Sequence, residues 1–325
     1  MIRRPPRSTL SSSSAASDVY KRQGINTTFT VPTNTTLINE SNIDHSKVLI
    51  LSTIEVKNLS NKGIEVIIPR WGVEQKVVPE APGIPGIMAQ LIHKLERSEE
   101  AMTIEVFPNV PKAMGLGGSS ALAVAIIKAL NKTYELALKD AEINTLAYKC
   151  EQTAHGQASG VDNTVATYGV PLFYQKESDD PHFETLTLGQ PLELVIGITG
   201  KESLTAEMVA RVRASWNQHK HRYESIFDQI GSLTIQAKDA VQSGQLSELG
   251  ELMNLCHGYL NALQLSTPEI EELIHLARIN GAVGAKLSGG GGGGSVVALC
   301  PDSSNQVARA IENAGYKSIS VKVDS

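Results

Sequence analysis

The most constraining segment of the chain is residues 111–121, which read PKAMGLGGSSA and run directly into an alanine-rich stretch. Its glycines, Gly115, Gly117 and Gly118, allow tight turns and close approach of the backbone to a ligand. A helix that starts here presents unpaired N–H groups and a partial positive charge, both of which favour an anion. The segment predicts a phosphate-binding loop, although a glycine-rich connection between a strand and a helix has the same composition.

This loop fits neither of the two commonest nucleotide-binding patterns. The spacing G-x-x-x-x-G-K-[ST] of the P-loop is absent, and the dinucleotide fingerprint G-x-G-x-x-G is not met. By itself the loop is weak evidence, and the other segments of the chain have to support it.

Residues 151–163, which read EQTAHGQASGVDN, hold two carboxylates eleven residues apart. Glu151 is predicted at the end of a helix, and Asp162 follows a loop that can fold back beside it. One carboxylate can bind Mg²⁺, which prefers oxygen ligands, and the other can accept the proton of a substrate hydroxyl. His155 is a second candidate base, although a histidine followed by glycine more often makes a hydrogen bond within a loop.

A third segment, residues 285–295, contains six successive glycines between two apolar runs. Ordering such a run has a high entropic cost, so its presence in a folded protein indicates a backbone that approaches a ligand or another segment. The alternative is a flexible linker. The tight apolar flanks on both sides argue against a linker.

The order P-x-x-x-G-L-G-x-S-x-A, then E-x-x-x-H-G-x-x-S-G-x-D-N, then A-K-L-[ST]-G-x-G-G-G-G resembles the GHMP kinases. The second and third segments are similar to the mevalonate kinase branch of that family, and the resemblance covers residues 64–323. It implies an α+β, two-lobed GHMP kinase fold, with a ribosomal-protein-like N-terminal lobe and a ferredoxin-like C-terminal lobe. It also implies phosphorylation of the 5-hydroxyl of mevalonate in isoprenoid precursor synthesis, with ATP and Mg²⁺ as cofactors in the cleft between the lobes.

The resemblance implies roles for individual residues. Asp162 matches the catalytic base, Glu151 a Mg²⁺ ligand, and Ser119 the serine that contacts Mg²⁺ and the phosphates. Gly118 stands where many members have the first serine of a pair, so Ser120 is the alternative to Ser119. Residues implied at the nucleotide are Lys112, Met114, Gly115, Leu116, Gly117, Gly118, Ser119, Ser120, Gly290 and Gly291, and those implied at the substrate are Thr205, His155 and Ser159. The run 289–294 is expected to support the phosphate loop.

The N-terminus departs from the family pattern. Nothing matches the family's first motif, G-K-x-I-L-x-G-E-H, and residues 46–50 are only a faint echo of it. Residues 1–23, rich in arginine and serine, are interpreted as a non-native or disordered leader. The predicted domains are then 24–190, which binds ATP, and 191–325. Loss of the first motif's lysine, which lowers the proton affinity of the aspartate, is expected to reduce the rate.

The composition of the chain argues against several classes of binding partner. Lysine and arginine number 29 against 34 acidic residues, for a net charge of −5, so nucleic acid is not an expected partner. No apolar stretch is long enough for a membrane span, and the three cysteines show neither disulfide nor zinc spacing. A cytoplasmic enzyme is predicted, and a homodimer is left open.

Two kinds of alternative function remain. Homoserine kinase and phosphomevalonate-type enzymes belong to the same family, and the pair Asp162–Asn163 favours mevalonate over homoserine. A non-catalytic nucleotide or metabolite binder is the alternative of a different class, because the first motif is absent.

Hydrophobic periodicity predicts the elements around these motifs. The stretch 48–78 is predicted to be strand-like, with strands at 48–56 and 64–68, and further strands are predicted at 103–106, at 191–199 and on each side of the glycine run. Helices are predicted at 84–95, 119–134, 140–154 with Asp140 as N-cap, 205–213, 223–242, 246–263, 268–280 with Thr267 as N-cap, and 305–313.

Overall fold

The computed structural model describes residues 52–57, 64–68, 73–76, 86, 88–89, 92–93, 102–108, 114–155, 159–177, 180–203 and 205–324. The strands are β1 Ser52–Lys57, β2 Ile64–Ile68, β3 Val73–Lys76, β4 Met102–Pro108, β5 Leu172–Glu177, β6 Asp180–Thr185, β7 Leu192–Ile198, β8 Gly284–Ser288, β9 Ser295–Leu299 and β10 Lys317–Val323. The helices are α1 Gly118–Thr133, α2 Asp140–His155, α3 Val161–Tyr168, α4 Thr205–Gln218, α5 Lys220–Ser243, α6 Leu246–Ala262, α7 Pro268–Ile279 and α8 Ser304–Asn313.

In the described part of the N-terminal half, a four-stranded sheet is combined with α1, α2 and α3, which pack on one another. The sheet has the order β1-β4-β2-β3, in which β2 and β4 are parallel and the other pairs antiparallel. Helix α1 packs against both α2 and α3. Its small residues, such as Ala125 and Ala129, are fully buried, so the helix axes can approach closely around the larger Ile126 and Leu130.

The C-terminal half is an antiparallel sheet, in the order β10-β7-β9-β8, with helices on both faces. Because successive side chains of a strand point to opposite faces, Val296 and Ala298 join the apolar cluster of α7 and α8. Val297 and Leu299 join the cluster of α5 and α6 on the other face. Both ends of the glycine run, which connects β8 to β9, therefore start from a strand that is packed on two sides.

Most of the predicted helices are confirmed, and one predicted cap is wrong. Thr267 is the N-cap of α7, its side chain accepts a hydrogen bond from Ile270 N, and Pro268 occupies the first turn. Asp140, by contrast, already lies inside α2. The carbonyl oxygen of Lys139 accepts the first helical hydrogen bond, and the backbone N–H of Lys139 donates to Glu142 Oε2 at 2.9 Å. The reach-back of Glu142, three residues on, makes Lys139 the cap.

Four elements were not predicted from the sequence: α3, β5, β6 and β10. Helix α3 is short and begins after Gly160, a left-handed glycine without a side-chain cap, so it lacks the usual start signal. Strand β10 did carry a signal, because Ile319, Val321 and Val323 alternate with polar residues. The predicted strand over 48–56 is described only from Ser52 onward.

Candidate active site

The phosphate loop ends in a free helix N-terminus. Gly117 adopts a left-handed conformation with φ of 66° and is the N-cap of α1, without a side-chain hydrogen bond at the cap. The first turn of α1 carries no acidic residue. Its backbone N–H groups and the positive end of the helix dipole therefore lie together at Gly118, Ser119 and Ser120, as a bound phosphate requires.

Glu151 lies directly behind this helix start. It is on α2, its side chain is 7% exposed, and its Oε1 accepts a hydrogen bond from the hydroxyl of Ser120, which is fully buried. When the amide of Asn163 is assigned with its nitrogen facing Glu151 instead of Asn144, it donates to Oε2 of Glu151 at 3.2 Å and to the carbonyl of Gly160 at 3.1 Å. In this assignment each carboxylate oxygen of Glu151 accepts a hydrogen bond from a neutral donor. Ser119, unlike the fully buried Ser120, is only half-buried.

Asp162 lies in the first turn of α3, which packs against α1 and α2. Both carboxylates affect the pKa of Tyr174, which lies on β5. Its pKa is raised well above the ordinary value, first by burial, then by Tyr148, and then by the negative charges of Glu151 and Asp162. Glu151 and Asp162 lie on α2 and α3, two helices that pack against each other and against α1, and both carboxylates act on Tyr174. Glu151 lies one turn before the end of α2, which continues to His155, one residue beyond the predicted bound of 154.

The glycine run packs against the phosphate loop from the C-terminal half. Ser295 Oγ donates to the carbonyl of Met114 at 2.9 Å. A Cβ on Gly289 would lie 2.9 Å from Gly115 Cα, and one on Gly294 would lie 3.0 Å from the carbonyl oxygen of Met114. Any side chain at these two positions would push the phosphate loop away. The glycines are therefore required by close packing, and the linker alternative is wrong.

Thr205 contacts the same run from another direction. Its Oγ1 lies 3.1 Å from Ser203 Oγ, which also donates to the carbonyl of Gly291 at 3.1 Å. A Cβ on Gly290 would lie 2.7 Å from Thr205 Cγ2. The predicted nucleotide glycines and the predicted substrate threonine are therefore neighbours.

The remaining predicted residues are placed only in part. Ser159 accepts a hydrogen bond at Oγ from Val161 N at 3.2 Å, so it helps to start α3. His155 is the last residue of α2, and its side chain lies outside the described part of the chain, as do Lys112 and residues 1–51. The sequence reasoning missed contacts made by Asn163, Tyr174, Ser203 and Ser295. Of these, Asn163 and Ser295 lie within the segments 151–163 and 285–295.

Two family models match the chain. The N-terminal domain of the GHMP kinases matches residues 86–170, and the C-terminal domain of the GHMP kinases matches residues 237–317. The chain belongs to the GHMP kinases, and it is a kinase that transfers a phosphoryl group from ATP to an alcohol.

Comparison with individual proteins shows which members of the family this chain is similar to. The chain is 35% identical over 238 residues to the mevalonate kinase of Thermococcus sibiricus, which covers 72% of this chain and 70% of the relative. It is 40% identical over 228 residues to that of Pyrococcus horikoshii, with 68% of this chain and 67% of the relative covered. Among solved structures, L. major mevalonate kinase in complex with R-mevalonate aligns with a TM-score of 0.71 and 29% identity over 83% of this chain and 85% of that one.

No helix in the described part of the chain is both long and apolar enough to cross a bilayer.

Proposed function

We propose that this protein is a mevalonate kinase, which uses ATP to phosphorylate the 5-hydroxyl of mevalonate. The observation that carries the proposal is the hydrogen bond from Ser120, at the start of α1, to Glu151 of α2, together with the position of Asp162 in the first turn of α3, which packs against both helices. The substrate is supported by the relatives at 35% and 40% identity, both of which are mevalonate kinases.

In this mechanism Asp162 accepts the proton of the substrate hydroxyl while the hydroxyl oxygen attacks the γ-phosphorus in line with the leaving group. The N–H groups at the start of α1 stabilise the negative charge on the phosphates, because they are already oriented toward the loop. The glycine run keeps the loop in place from the opposite side, so that the phosphate stays aligned with Asp162.

The donor atoms at this site suit Mg²⁺, which prefers carboxylate and hydroxyl oxygens together with the oxygens of bound phosphates. Glu151 and Ser119 are the residues proposed to bind the ion, with Ser120 orienting Glu151. When bound, Mg²⁺ would neutralise charge on the phosphates.

The substrate side of the proposal rests on Thr205, His155 and Ser159. Thr205 contacts Gly290, whose neighbour Gly289 lies against Gly115 of the phosphate loop, and this proximity supports a substrate position near both. We further propose that residues 24–190 and 191–325 form the two lobes. A cytoplasmic location and a homodimer stay predictions.

The test is release of ADP with ATP, Mg²⁺ and each of three substrates: mevalonate, phosphomevalonate and homoserine. We expect turnover with mevalonate alone. Asp162→Asn keeps the size of the side chain but removes the base, and is expected to lower kcat by about 10²-fold or more. Asp228→Asn, an exposed position on α5, is the matched control and should leave kcat unchanged.

Other outcomes favour the alternatives. Preferred turnover of homoserine or phosphomevalonate would move the protein to another branch of the family. Nucleotide binding without turnover of any substrate, persisting when a complete first motif is fused to the chain, would identify a non-catalytic binder.

A further inference from the structure

Tyr174 is a buried residue of β5 whose hydroxyl lies at the turn that precedes Asp162. Its ring belongs to an apolar cluster with Val161 and Val165 of α3 and Leu172 of β5. Its hydroxyl donates a hydrogen bond to the carbonyl oxygen of Ser159. The side chain is therefore fixed at both ends, by apolar packing along the ring and by a hydrogen bond at its tip.

The backbone of this turn lies between two tyrosines. A Cβ on Gly160 would lie 2.8 Å from Tyr174 Oη and 3.3 Å from Tyr148 Cε2, so only glycine fits. Gly160 also has a φ of +83°, a conformation that other residues rarely adopt. The turn is thus specified by its glycine and by the aromatic residues that surround it.

The turn leads directly into the catalytic part of the site. Gly160 is the N-cap of α3, and Asp162 lies two residues further on, in the first turn. Because the N-cap sets where a helix begins, a shift of residues 159–160 would move the carboxylate of Asp162 as well.

We propose that Tyr174 is a positioning residue for phosphoryl transfer, whose hydroxyl fixes the turn at 159–160 and thereby the carboxylate of Asp162. The proposal rests on the proposed function, in which Asp162 is the base. Tyr174 acts through the backbone and touches neither the reacting hydroxyl nor the phosphate.

The surroundings of the hydroxyl support this role. Burial, Tyr148 and the charges of Glu151 and Asp162 all raise the pKa of Tyr174. The phenol therefore stays protonated at neutral pH, and it remains a hydrogen-bond donor to the carbonyl oxygen of Ser159. A neutral donor adds no charge to a region that already contains two carboxylates.

The first test is Tyr174→Phe, which keeps the ring in its cluster and removes only the hydroxyl. We expect kcat for mevalonate to fall by about ten- to a hundredfold, because small displacements of a catalytic group have large effects on rate. KM for ATP should change by less than about threefold, since the phosphate loop is untouched. Tyr316→Phe, which removes a hydroxyl bond to Glu272 at the surface of the C-terminal half, is the control and should leave both constants unchanged.

A second measurement does not depend on activity. Hydrogen exchange at the backbone amides of residues 161–165 should become about tenfold faster in Tyr174→Phe, and not in Tyr316→Phe, because the start of α3 loses its support. If the wild-type chain fails to phosphorylate mevalonate, the proposed function fails, while this comparison still tests the role of Tyr174.

Unchanged kcat in Tyr174→Phe, in an active wild-type enzyme, would overturn the proposal. So would unchanged exchange at the start of α3. Equal losses of kcat and of folded protein would indicate a general effect on stability, and would overturn it too.

Discussion

The hydroxyl of Ser120, at the start of α1, donates a hydrogen bond to Oε1 of Glu151 on α2, across a separation of 31 residues. This contact joins the end of the phosphate loop to the carboxylate that is proposed to bind Mg²⁺. It also distinguishes two adjacent serines, because Ser120 is fully buried and engaged with Glu151, whereas Ser119 is half-buried.

The two serines are therefore expected to respond differently to alanine. Ser119→Ala should raise the Mg²⁺ concentration for half-maximal rate and lower kcat by about tenfold or more, because it removes the hydroxyl that is proposed to bind the ion. Ser120→Ala should lower the free energy of unfolding by about 1–3 kcal/mol, since a buried carboxylate oxygen loses its donor. Mg²⁺ titrations of the initial rate and denaturant unfolding measure the two effects. A larger shift in Mg²⁺ dependence for Ser120→Ala would make Ser120 the ligand.

Gly290→Ala is expected to lower kcat/KM by about tenfold or more. The added methyl group would lie 2.7 Å from Cγ2 of Thr205, so either Thr205 or the glycine run must move. Steady-state kinetics with ATP and mevalonate measure the effect. Gly258→Ala on α6 is the control, because a Cβ there meets no atom within 4 Å. It should keep full activity and stabilise the protein by about 0.5–1 kcal/mol, as alanine does in a helix interior. Equal kinetics for the two variants would contradict the packing argument.

Ser295→Ala is expected to raise KM for ATP several-fold. The hydroxyl of Ser295, which is fully buried, donates to the carbonyl of Met114, so its loss loosens the phosphate loop and costs about 1 kcal/mol of stability. Nucleotide titrations and thermal unfolding check both effects. Ser303→Ala is the control. It removes a hydroxyl bond to the carbonyl of Gly281 in the C-terminal half and should leave KM for ATP unchanged. A variant at Ser295 with wild-type affinity for ATP would show that the loop keeps its shape without this contact.

His257 is expected to make stability depend on pH. Burial lowers its pKa below the ordinary 6.5, and although Glu271 at 3.1 Å opposes this, the net direction is downward. Between the lowered pKa and 6.5 the unfolded chain binds more protons than the folded one. The contribution of His257 to the free energy of unfolding should therefore be constant above this range and fall as the pH drops through it, by at most about 1.4 kcal/mol per pH unit.

The comparison with His257→Gln isolates this effect. Glutamine can still donate to Glu271 but does not titrate, so the variant should lose less stability than the wild type between pH 8 and pH 5.5. His275→Gln, at an exposed position on α7, retains His257 and should follow the wild-type curve. Parallel curves for wild type and His257→Gln would mean that the pKa of His257 is not lowered.

Much of the fold could be predicted from local sequence. Alanines and regularly spaced apolar residues indicated α1, and Thr267 followed by Pro268 marked the start of α7, because both signals depend on residues within one or two turns. Helix α3 was missed for the opposite reason. Its start depends on Gly160, where a side chain would collide with Tyr148 and Tyr174 of other elements.

The candidate site also has features that local sequence predicts and features that depend on distant residues. The order of three motifs was enough to assign the family and to select Glu151, Asp162 and the glycine loops, because each motif consists of neighbouring residues with a recognisable chemistry.

The sequence by itself determined the family, its kinase activity and most helices, since these depend on short segments whose properties are local. Only the tertiary structure decided that Ser120 contacts Glu151, that Ser295 supports Met114 across 181 residues, and that Tyr174 holds the turn before Asp162. Such contacts depend on how packed helices and sheets place distant residues side by side, and no periodicity or local spacing encodes them.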